Sequence, residues 1–421
     1  MAKKSRKEKP IRVGVIGVGR GMSYAHGATD VIGMKLVALC DNRRAAVNKA
    51  GKALGVTAYT NYDRFLEHDM DAVILANYFH EHAPFAIKAL DAGKHVMSET
   101  SCNSTMAEGV ALCRKVEETG LVYMLAENYP YTVFNLEMRR LYRAGEIGDV
   151  RFAEGEYNHP MDKGSTNAIS CGENHWRNNI PSTYYCTHAL APMMMITNTT
   201  PLRVNARAFD LPRVREQTAR RGDGGSVILC EMDNGAMFQM MGMGLAGHSC
   251  WYRFHGTIGA MENTRGSEAY FGPEEVRVWH EPWDLRPGQP QEHVYKPDWP
   301  LHGKLAEQAG HGGGDFWTNF EFAKAIRSGR QPYLNVHRGV TMSSVGILAW
   351  RSALENGAAV DVPNFKKEKE RRAFEDDHWT PFSSKGRPAD APPSVHGFRK
   401  ASRKGLAEAR KTWKKMGYKG T

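Results

Sequence analysis

Residues 11–22 read Ile11-Arg12-Val13-Gly14-Val15-Ile16-Gly17-Val18-Gly19-Arg20-Gly21-Met22, and the fold turns on how this stretch is understood. Arg12–Ile16 is a short apolar run of the kind that fills a strand buried on both faces. It passes without a break into a glycine turn. Glycines at 17 and 19 permit a tight bend and let backbone N–H groups approach a pyrophosphate at the start of a helix. The third fingerprint position holds Met22 where Gly or Ala is usual, and a Gly-x-Gly alone is common by chance. The surroundings strengthen it. The next apolar run, Lys35–Cys40, ends in Asp41, whose carboxylate can accept hydrogen bonds from the ribose hydroxyls of an adenosine. That carboxylate would also repel a 2′-phosphate, which favours NAD over NADP; Arg43 and Arg44 leave some room for the phosphorylated cofactor. Gly17, Gly19, Arg20, Gly21 and Asp41 are therefore the candidate cofactor-binding residues of this region. The competing reading is a glycine turn in an unrelated α/β sheet.

Outward from this stretch, strands and helices alternate. Ala72–Ala76, His95–Met97 and Leu121–Met124 continue the apolar runs, with helix-period segments near 43–54, 81–92, 105–119 and 131–144. That alternation predicts a doubly wound parallel sheet. The pattern changes after about Gly148. Residues 151–157, 202–209, 226–232, 236–243 and 250–257 read as strands without regular helices between them, and Asp233-Asn234-Gly235 is a hairpin signal. Helical periodicity returns at 315–328 and 336–355. The expected architecture is α/β: an N-terminal doubly wound parallel (Rossmann) sheet, then a C-terminal α+β domain with a large, mostly antiparallel, open-faced sheet. The expected boundaries are a basic tail at 1–10, a dinucleotide-binding domain at 11–130, a substrate domain at 131–364 and a basic extension at 365–421. A basic helix is expected near 402–416, as an arm gripping a neighbouring subunit or as a solvated tail, with a slight preference for the arm.

The 421 residues exceed the usual size of one hydrophobic core. The net charge of +10 resides in the ends of the chain. Residues 1–12 carry six Lys/Arg against one acid and residues 366–421 carry sixteen against seven, so the body between them is mildly acidic. A basic globular face for nucleic acid is not indicated. Seven cysteines are scattered singly without a Cys-x-x-Cys pair, which suits a reducing compartment and argues against zinc. No apolar run approaches the roughly 18 residues of a membrane span, and the basic first ten residues lead into no apolar signal core. The expected location is cytoplasmic.

These elements resemble the Gfo/Idh/MocA oxidoreductase family over residues 11–363. The matching stretches are Val13–Gly21, Asn77–His82, Ala89-Leu90-x-Ala92-Gly93-Lys94-His95-Val96, Glu99, Arg143-x-Gly145-x-Ile147-Gly148, Gly256-Thr257-x-Gly259 and Val360–Pro363. The resemblance implies an NAD-dependent enzyme acting on a sugar, usually a homo-oligomer built on its open sheet face, and adds Asn77, His82, Glu99 and Asn128 to the cofactor site. The family's Glu-Lys-Pro motif is altered to Glu99-Thr100-Ser101. The lysine commonly placed beside the substrate hydroxyl is absent, and a threonine hydroxyl does not ionise near neutrality.

A narrower resemblance accounts for that loss. The family's NAD-dependent glycosidase branch, typified by bacterial α-N-acetylgalactosaminidases, also lacks the lysine. Its style of motif recurs in Leu125–Asn128, Gly155-Glu156-Tyr157-x-His159, His175-Trp176-Arg177, Tyr185–His188 and Gly310–Phe316. Cys186 stands where that branch usually has proline, and Tyr78–His82 replaces its tryptophan-rich turn. The implied chemistry is hydride transfer at a ring carbinol, C3, followed in a glycosidase by elimination, hydration and re-reduction. NAD-dependent glycosidases need no paired carboxylates.

Sugar oxidation needs a group of tunable proton affinity within hydrogen-bond reach of the hydroxyl. Tyr185 and His188 share a face if a helix begins there, and an imidazole can take or relay the proton; they are the catalytic candidates, against a reading as core residues. Tyr157 and His159 alternate on a strand and line the pocket or pack a hairpin. Trp176 can stack on a sugar and Arg177 hold a hydroxyl or carboxylate, unless the two form a structural cation–π pair. Asp315 reads as a helix N-cap, leaving His311 as the pocket residue. Met193–Met195 reads as core. Two other functions compete with the enzyme: a non-catalytic sugar or NAD sensor, suggested by the lost lysine, and nucleic-acid association through the basic ends, which no recognised module supports.

Overall fold

The computed structural model describes residues 9–265, 273–384 and 386–418. Most of the basic N-terminal tail, residues 1–8, lies outside them. Six parallel strands form the first sheet: β1 (Ile11–Ile16), β2 (Met34–Cys40), β3 (Thr57–Tyr59), β4 (Ala72–Leu75), β5 (His95–Ser98) and β6 (Tyr123–Leu125). Their spatial order is β3-β2-β1-β4-β5-β6, so the order reverses at the junction of β1 and β4. In such sheets ligands sit beyond the carboxyl ends of the strands at that reversal, and β1 ends there in the glycine turn. The sequence reading missed β3, a three-residue edge strand too short to show a period. Every β4 residue is buried, as expected for a strand covered on both faces.

The second sheet has nine strands: β7 (Phe152–Asn158), β8 (Pro201–Phe209), β9 (Gly225–Met232), β10 (Met237–Met243), β11 (Ser249–His255), β12 (Ala260–Asn263), β13 (Val276–Trp279), β14 (Glu292–Tyr295) and β15 (Val360–Asp361). They lie in the order β14-β13-β12-β11-β7-β10-β9-β8-β15. All pairings are antiparallel except β7 with β10. The Asp233-Asn234-Gly235 signal is the hairpin between β9 and β10, with Gly235 at φ +76°. Period-2 alternation sends Ala153, Val204, Ala206, Ile228, Cys230, Phe238, Met240, Tyr252 and Phe254 to a buried face. The helices Thr187–Thr197 and Val336–Leu354 cover that face. The other face, with Arg203, Leu229, Glu231 and Met237, is open. Met193–Met195 are core residues, as read.

The C-terminal extension corrects an expectation. Among the described residues it is not a solvated tail, because it folds back along its own chain. Arg351 pairs with Asp377 at 2.7 Å, Trp350 Nε1 donates to the Pro392 carbonyl at 2.8 Å, and Arg399 pairs with Asp210 and Asp223 at 3.1 and 2.5 Å. The basic helix is present as Arg403–Lys415. Its apolar side, Leu406, Ala409 and Trp413 at i, i+3 and i+7, packs beside Ala219 and Cys171, and Trp413 donates to the Asn167 carbonyl at 2.9 Å. The charges of the helix face solvent while this narrow stripe docks it.

Candidate functional site

A cavity of about 400 Å³ opens between the two sheets, at the carboxyl ends of the first. Its wall contains Arg20, Asn77, His82, Glu99, Asn128, Tyr157, His159, Trp176, Arg177, Tyr185, His188 and His311. Twelve of the sixteen sequence candidates thus meet in one space. The other four, Gly17, Gly19, Gly21 and Asp41, lie in the adjoining turn and at the end of β2.

In that turn each glycine answers to a different constraint. Gly17 has φ +95°, and a Cβ there would lie 2.2 Å from the Ala76 carbonyl oxygen. At Gly19 a Cβ would meet nothing closer than Arg43 Nη2 at 3.9 Å, so the missing side chain leaves an open approach to backbone. At Gly21 a Cβ would lie 2.7 Å from Val15 Cγ1. Gly21 therefore lets the helix Gly21–Gly27 pack on β1, the service the third fingerprint glycine performs, which is why Met22 is tolerated. Asp41 accepts from the Val18 N–H (2.9 Å) and from Arg43 N, Nε and Nη2 (2.9–3.0 Å). Burial opposes its charge, but the Arg43 and Val18 hydrogen bonds win and hold its carboxyl below the usual range. Arg43 is largely exposed, and a pair of that kind is worth at most about 1 kcal/mol, so ribose hydroxyls can compete for the carboxylate.

The cavity end of the candidate cofactor site has the complementary property of unsatisfied polar atoms. Asn77 Oδ1, His82 Nε2 and Asn128 Oδ1 are buried with no hydrogen-bond partner among the described residues. His82 Nδ1 faces the Ser101 carbonyl at 2.8 Å, which puts the proton on Nδ1 and leaves Nε2 as an acceptor; burial pushes its proton affinity down. Buried polar atoms without partners are costly unless a ligand completes them. The turn, the Asp41 carboxylate and these three atoms fit a dinucleotide lying from β2 to the cavity.

A charged cluster locks the cofactor turn to the second domain. Arg20 donates to Glu99 (2.5 Å) and, in a fork, to both oxygens of Asp315 (2.7 and 2.8 Å). Tyr24 donates to Glu99 at 2.8 Å, Asn128 to Asp315 at 3.0 Å, and His311 Nδ1 lies 3.0 Å from Asp315. Burial disfavours both carboxylates, yet these donors hold Glu99 and Asp315 below the ordinary range. Bidentate guanidinium–carboxylate pairs are the strong ones. The N-cap expectation for Asp315 is corrected here: Gly313 is the N-cap, and Asp315 sits in the first turn of Gly314–Ser328 with its side chain turned to Arg20. Arg20 and Glu99 are likewise engaged with protein groups.

Tyr185 and His188 come together at a break between helices. Tyr185 ends a 3-10 turn, Ser182–Tyr185, and His188 is the second residue of Thr187–Thr197. The two are not on one continuous helix as the spacing suggested, but their rings meet edge to face with centroids 5.3 Å apart. Thr183 Oγ1 donates to the Gly346 carbonyl at 2.8 Å, and Tyr252 Oη donates to the His188 carbonyl at 2.6 Å. A Cβ at Gly155 would lie 2.6 Å from the Ala189 carbonyl, so β7 approaches this helix closely and Tyr157 lands 4.5 Å from His188, centroid to centroid. His188 Nδ1 lies 2.7 Å from Glu127 Oε1, and Glu127 is wholly buried. A carboxylate acceptor at Nδ1 holds the proton there and leaves Nε2 as the basic nitrogen for the cavity.

Trp176 is stacked on Phe79 at 5.1 Å, and the Arg177 guanidinium lies 4.3 Å over its ring. The structural pair and the pocket wall are thus the same residues. Glu127 lies in a motif the sequence shows but has no role assigned there; its signal is an acid two residues beyond the buried strand β6. The sequence reading missed Phe79 and Phe382, which pack 6.1 Å apart behind the site, and Arg220, hidden among four arginines in Arg213–Arg221.

Family models match both halves of the chain. Residues 11–127 match the oxidoreductase family with an NAD-binding Rossmann fold, and residues 222–371 match the C-terminal domain of glycosyl hydrolase 109. Residues 11–127 thus carry the NAD-binding Rossmann domain of the Gfo/Idh/MocA oxidoreductase family. A glycosyl hydrolase family 109 protein of Shewanella sp. (strain ANA-3) is 26% identical over 90% of this chain and 89% of its own. An α-N-acetylgalactosaminidase of Shewanella oneidensis is 26% identical over 86% of each. Among solved structures, levoglucosan dehydrogenase in complex with NADH and levoglucosan superposes with a TM-score of 0.71 at 20% identity, covering 85% of this chain and all of that one. That likeness shows a shared fold. No helix among the described residues is long and apolar enough to cross a membrane, and no group of three or more His, Cys, Asp or Glu among them could hold a metal ion.

Proposed function

We propose that this Gfo/Idh/MocA enzyme oxidises a glycoside transiently at C3 and thereby cleaves it, an NAD-dependent glycosidase that ends each turnover with its cofactor as it began. The observation carrying this reading is the Tyr185–His188–Glu127 group, set in one cavity with the cofactor residues while position 100 holds threonine instead of lysine. The match of residues 222–371 to glycosyl hydrolase 109 supports it. Held by the glycine turn, Asp41, Asn77, His82 and Asn128, NAD would supply a reversible acceptor for hydride from the ring carbon. His188 Nε2 takes the C3 hydroxyl proton as the C3–H bond breaks, and Glu127 stabilises the imidazolium that results. The C3 ketone makes the C2 hydrogen acidic. Loss of that proton, with Tyr185 as the neighbouring group to accept or relay it, expels the C1 substituent with its bonding pair and leaves a C1=C2 double bond. Water adds across it, and return of proton and hydride to C3 restores the carbinol. Trp176 and Tyr157 supply apolar walls that hold the ring.

A panel of p-nitrophenyl glycosides with NAD, followed both for phenol and for NADH, tests the reading. The expected result is phenol release with no net NADH, and deuterium from solvent at C2 of the product. NADH accumulating in step with product, with no phenol, would instead make the chain a sugar dehydrogenase. NAD binding with neither product would make it a sensor.

A further inference from the structure

The cavity wall opposite the glycine turn carries two arginines that form no ion pair among the described residues. Arg220 lines the cavity, its Nε is buried without a hydrogen-bond partner, and its guanidinium forms no ion pair with a described residue. Arg177 lines the same wall, held over Trp176 at 4.3 Å, again with no ion pair among the described residues. The nearby arginines differ. Arg221 pairs with Glu173, Arg215 with Asp210, and Arg399 with Asp210 and Asp223. Asp223, in the same wall, is already engaged with other groups: it accepts from Arg399 (2.5 Å), from Ser394 Oγ (2.8 Å) and from the Val395 N–H (2.8 Å). Arg220 is thus left facing Arg177 and Tyr185. Burial, and then the charge of Arg177, push its guanidinium down to about 10.

A guanidinium that lines a cavity with no anionic partner has its charge poorly compensated, and a neutral sugar offers only hydroxyls in return. Two guanidinium forks around one space match the planar or tetrahedral oxygens of an oxyanion, to which they can donate in pairs. We propose that the sugar taken by this site carries an oxyanion substituent, a carboxylate or a sulfate ester, seated between Arg177 and Arg220. This rests on the glycosidase reading for the identity of the cavity and adds the charge of its substrate.

The test compares p-nitrophenyl uronides and 6-sulfated glycosides with their neutral counterparts, in the wild type and in Arg220→Met and Arg220→Lys. The expected wild-type kcat/KM is about a hundredfold higher for an anionic member than for its neutral match. In Arg220→Met that ratio falls to near one, while Arg220→Lys keeps part of it. Preference for the uronide identifies a carboxylate, and preference for the sulfate ester identifies a sulfate. Equal or better turnover of the neutral glycosides by the wild type overturns the proposal, as does an unchanged ratio in Arg220→Met. Calorimetric binding of free uronic acid and sugar sulfate to the NAD-loaded protein separates the two readings. Salt-sensitive binding that Arg220→Met abolishes, without any turnover, sustains the anion site and sinks the glycosidase. Turnover of neutral glycosides with no anion binding does the reverse.

Discussion

Replacing Glu127 by glutamine is the sharpest test of how the site holds its proton. In the structure Glu127 Oε1 lies 2.7 Å from His188 Nδ1, with Glu127 fully buried and His188 nearly so. A carboxylate can only accept, so the imidazole proton sits on Nδ1 and Nε2 is the base. A carboxamide can also donate, and a glutamine that turns its NH2 to Nδ1 forces the proton onto Nε2, where it blocks proton abstraction. The charge is lost as well. Opposite charges about 4 Å apart at an effective dielectric of about 20 attract by about 4 kcal/mol, and losing that much support for the imidazolium slows the step by about a thousandfold. Glu127→Gln should therefore lower kcat by ~10²–10³-fold with KM and NAD affinity within a few-fold, measured by steady-state kinetics and fluorescence titration. Glu127→Asp, which restores an acceptor at longer reach, should recover part of the loss. A Glu127→Gln enzyme within threefold of the wild-type kcat would refute the positioning role.

Gly17→Ala should abolish NAD binding and destabilise the protein by about 1–3 kcal/mol, because the added carbon meets the Ala76 carbonyl at 2.2 Å and the backbone is left-handed. Gly55→Ala, left-handed too but with open space around it, should lose stability alone; equal NAD affinities in the two variants would contradict the argument. Burial holds His80 and His175 neutral, each down to about 4 from the ordinary 6.5. The unfolded chain therefore gains protons at both before the folded chain does, so stability stands in full above about pH 6.5 and drains away as pH falls toward 4, by roughly 2–3 kcal/mol per histidine. Urea melts between pH 7.5 and 4.5 should show that slope, reduced in a His80→Gln, His175→Gln double variant. Trp413→Ala removes the buried anchor of the last helix and should cost about 3–5 kcal/mol in a chemical melt; a loss below 1 kcal/mol would mean that the helix is only loosely docked.

The first sheet was largely legible because each of its central strands is an apolar run ended by a turn, and its helices carry long periods. What stayed hidden was short or depended on distant partners. β3 and β12–β14 span three or four residues each, too few for alternation to register. Met22 looked like a defect in the glycine motif because close packing on Val15 is a contact made across space, and Gly21 was the residue making it. Asp315 reads as a cap from its neighbours in sequence; only the fold brings Arg20, 295 positions away, against it. The site residues were found through chemistry that shows in the residue type, a tyrosine beside a histidine or an arginine beside a tryptophan. Glu127 and Arg220 were not, since whether an acid or a base has company is settled by tertiary contacts. The docking of the C-terminal extension is hidden for a related reason: its charge dominates its composition, while three apolar positions on one side of a helix determine where it packs.

The returning C-terminal segment has a consequence for how the protein matures. Asp223 lies in the cavity wall, and the groups that neutralise it, Ser394, Val395 and Arg399, belong to this late stretch. A ribosome releases that stretch only after both sheets have emerged, so a nascent chain would expose an uncompensated aspartate beside Arg220 and could close the two on each other. Until residues 394–399 arrive and draw Asp223 away, the arginine that we assign to substrate would be spoken for. Docking of residues 394–399 would then itself act as the step that switches the pocket on.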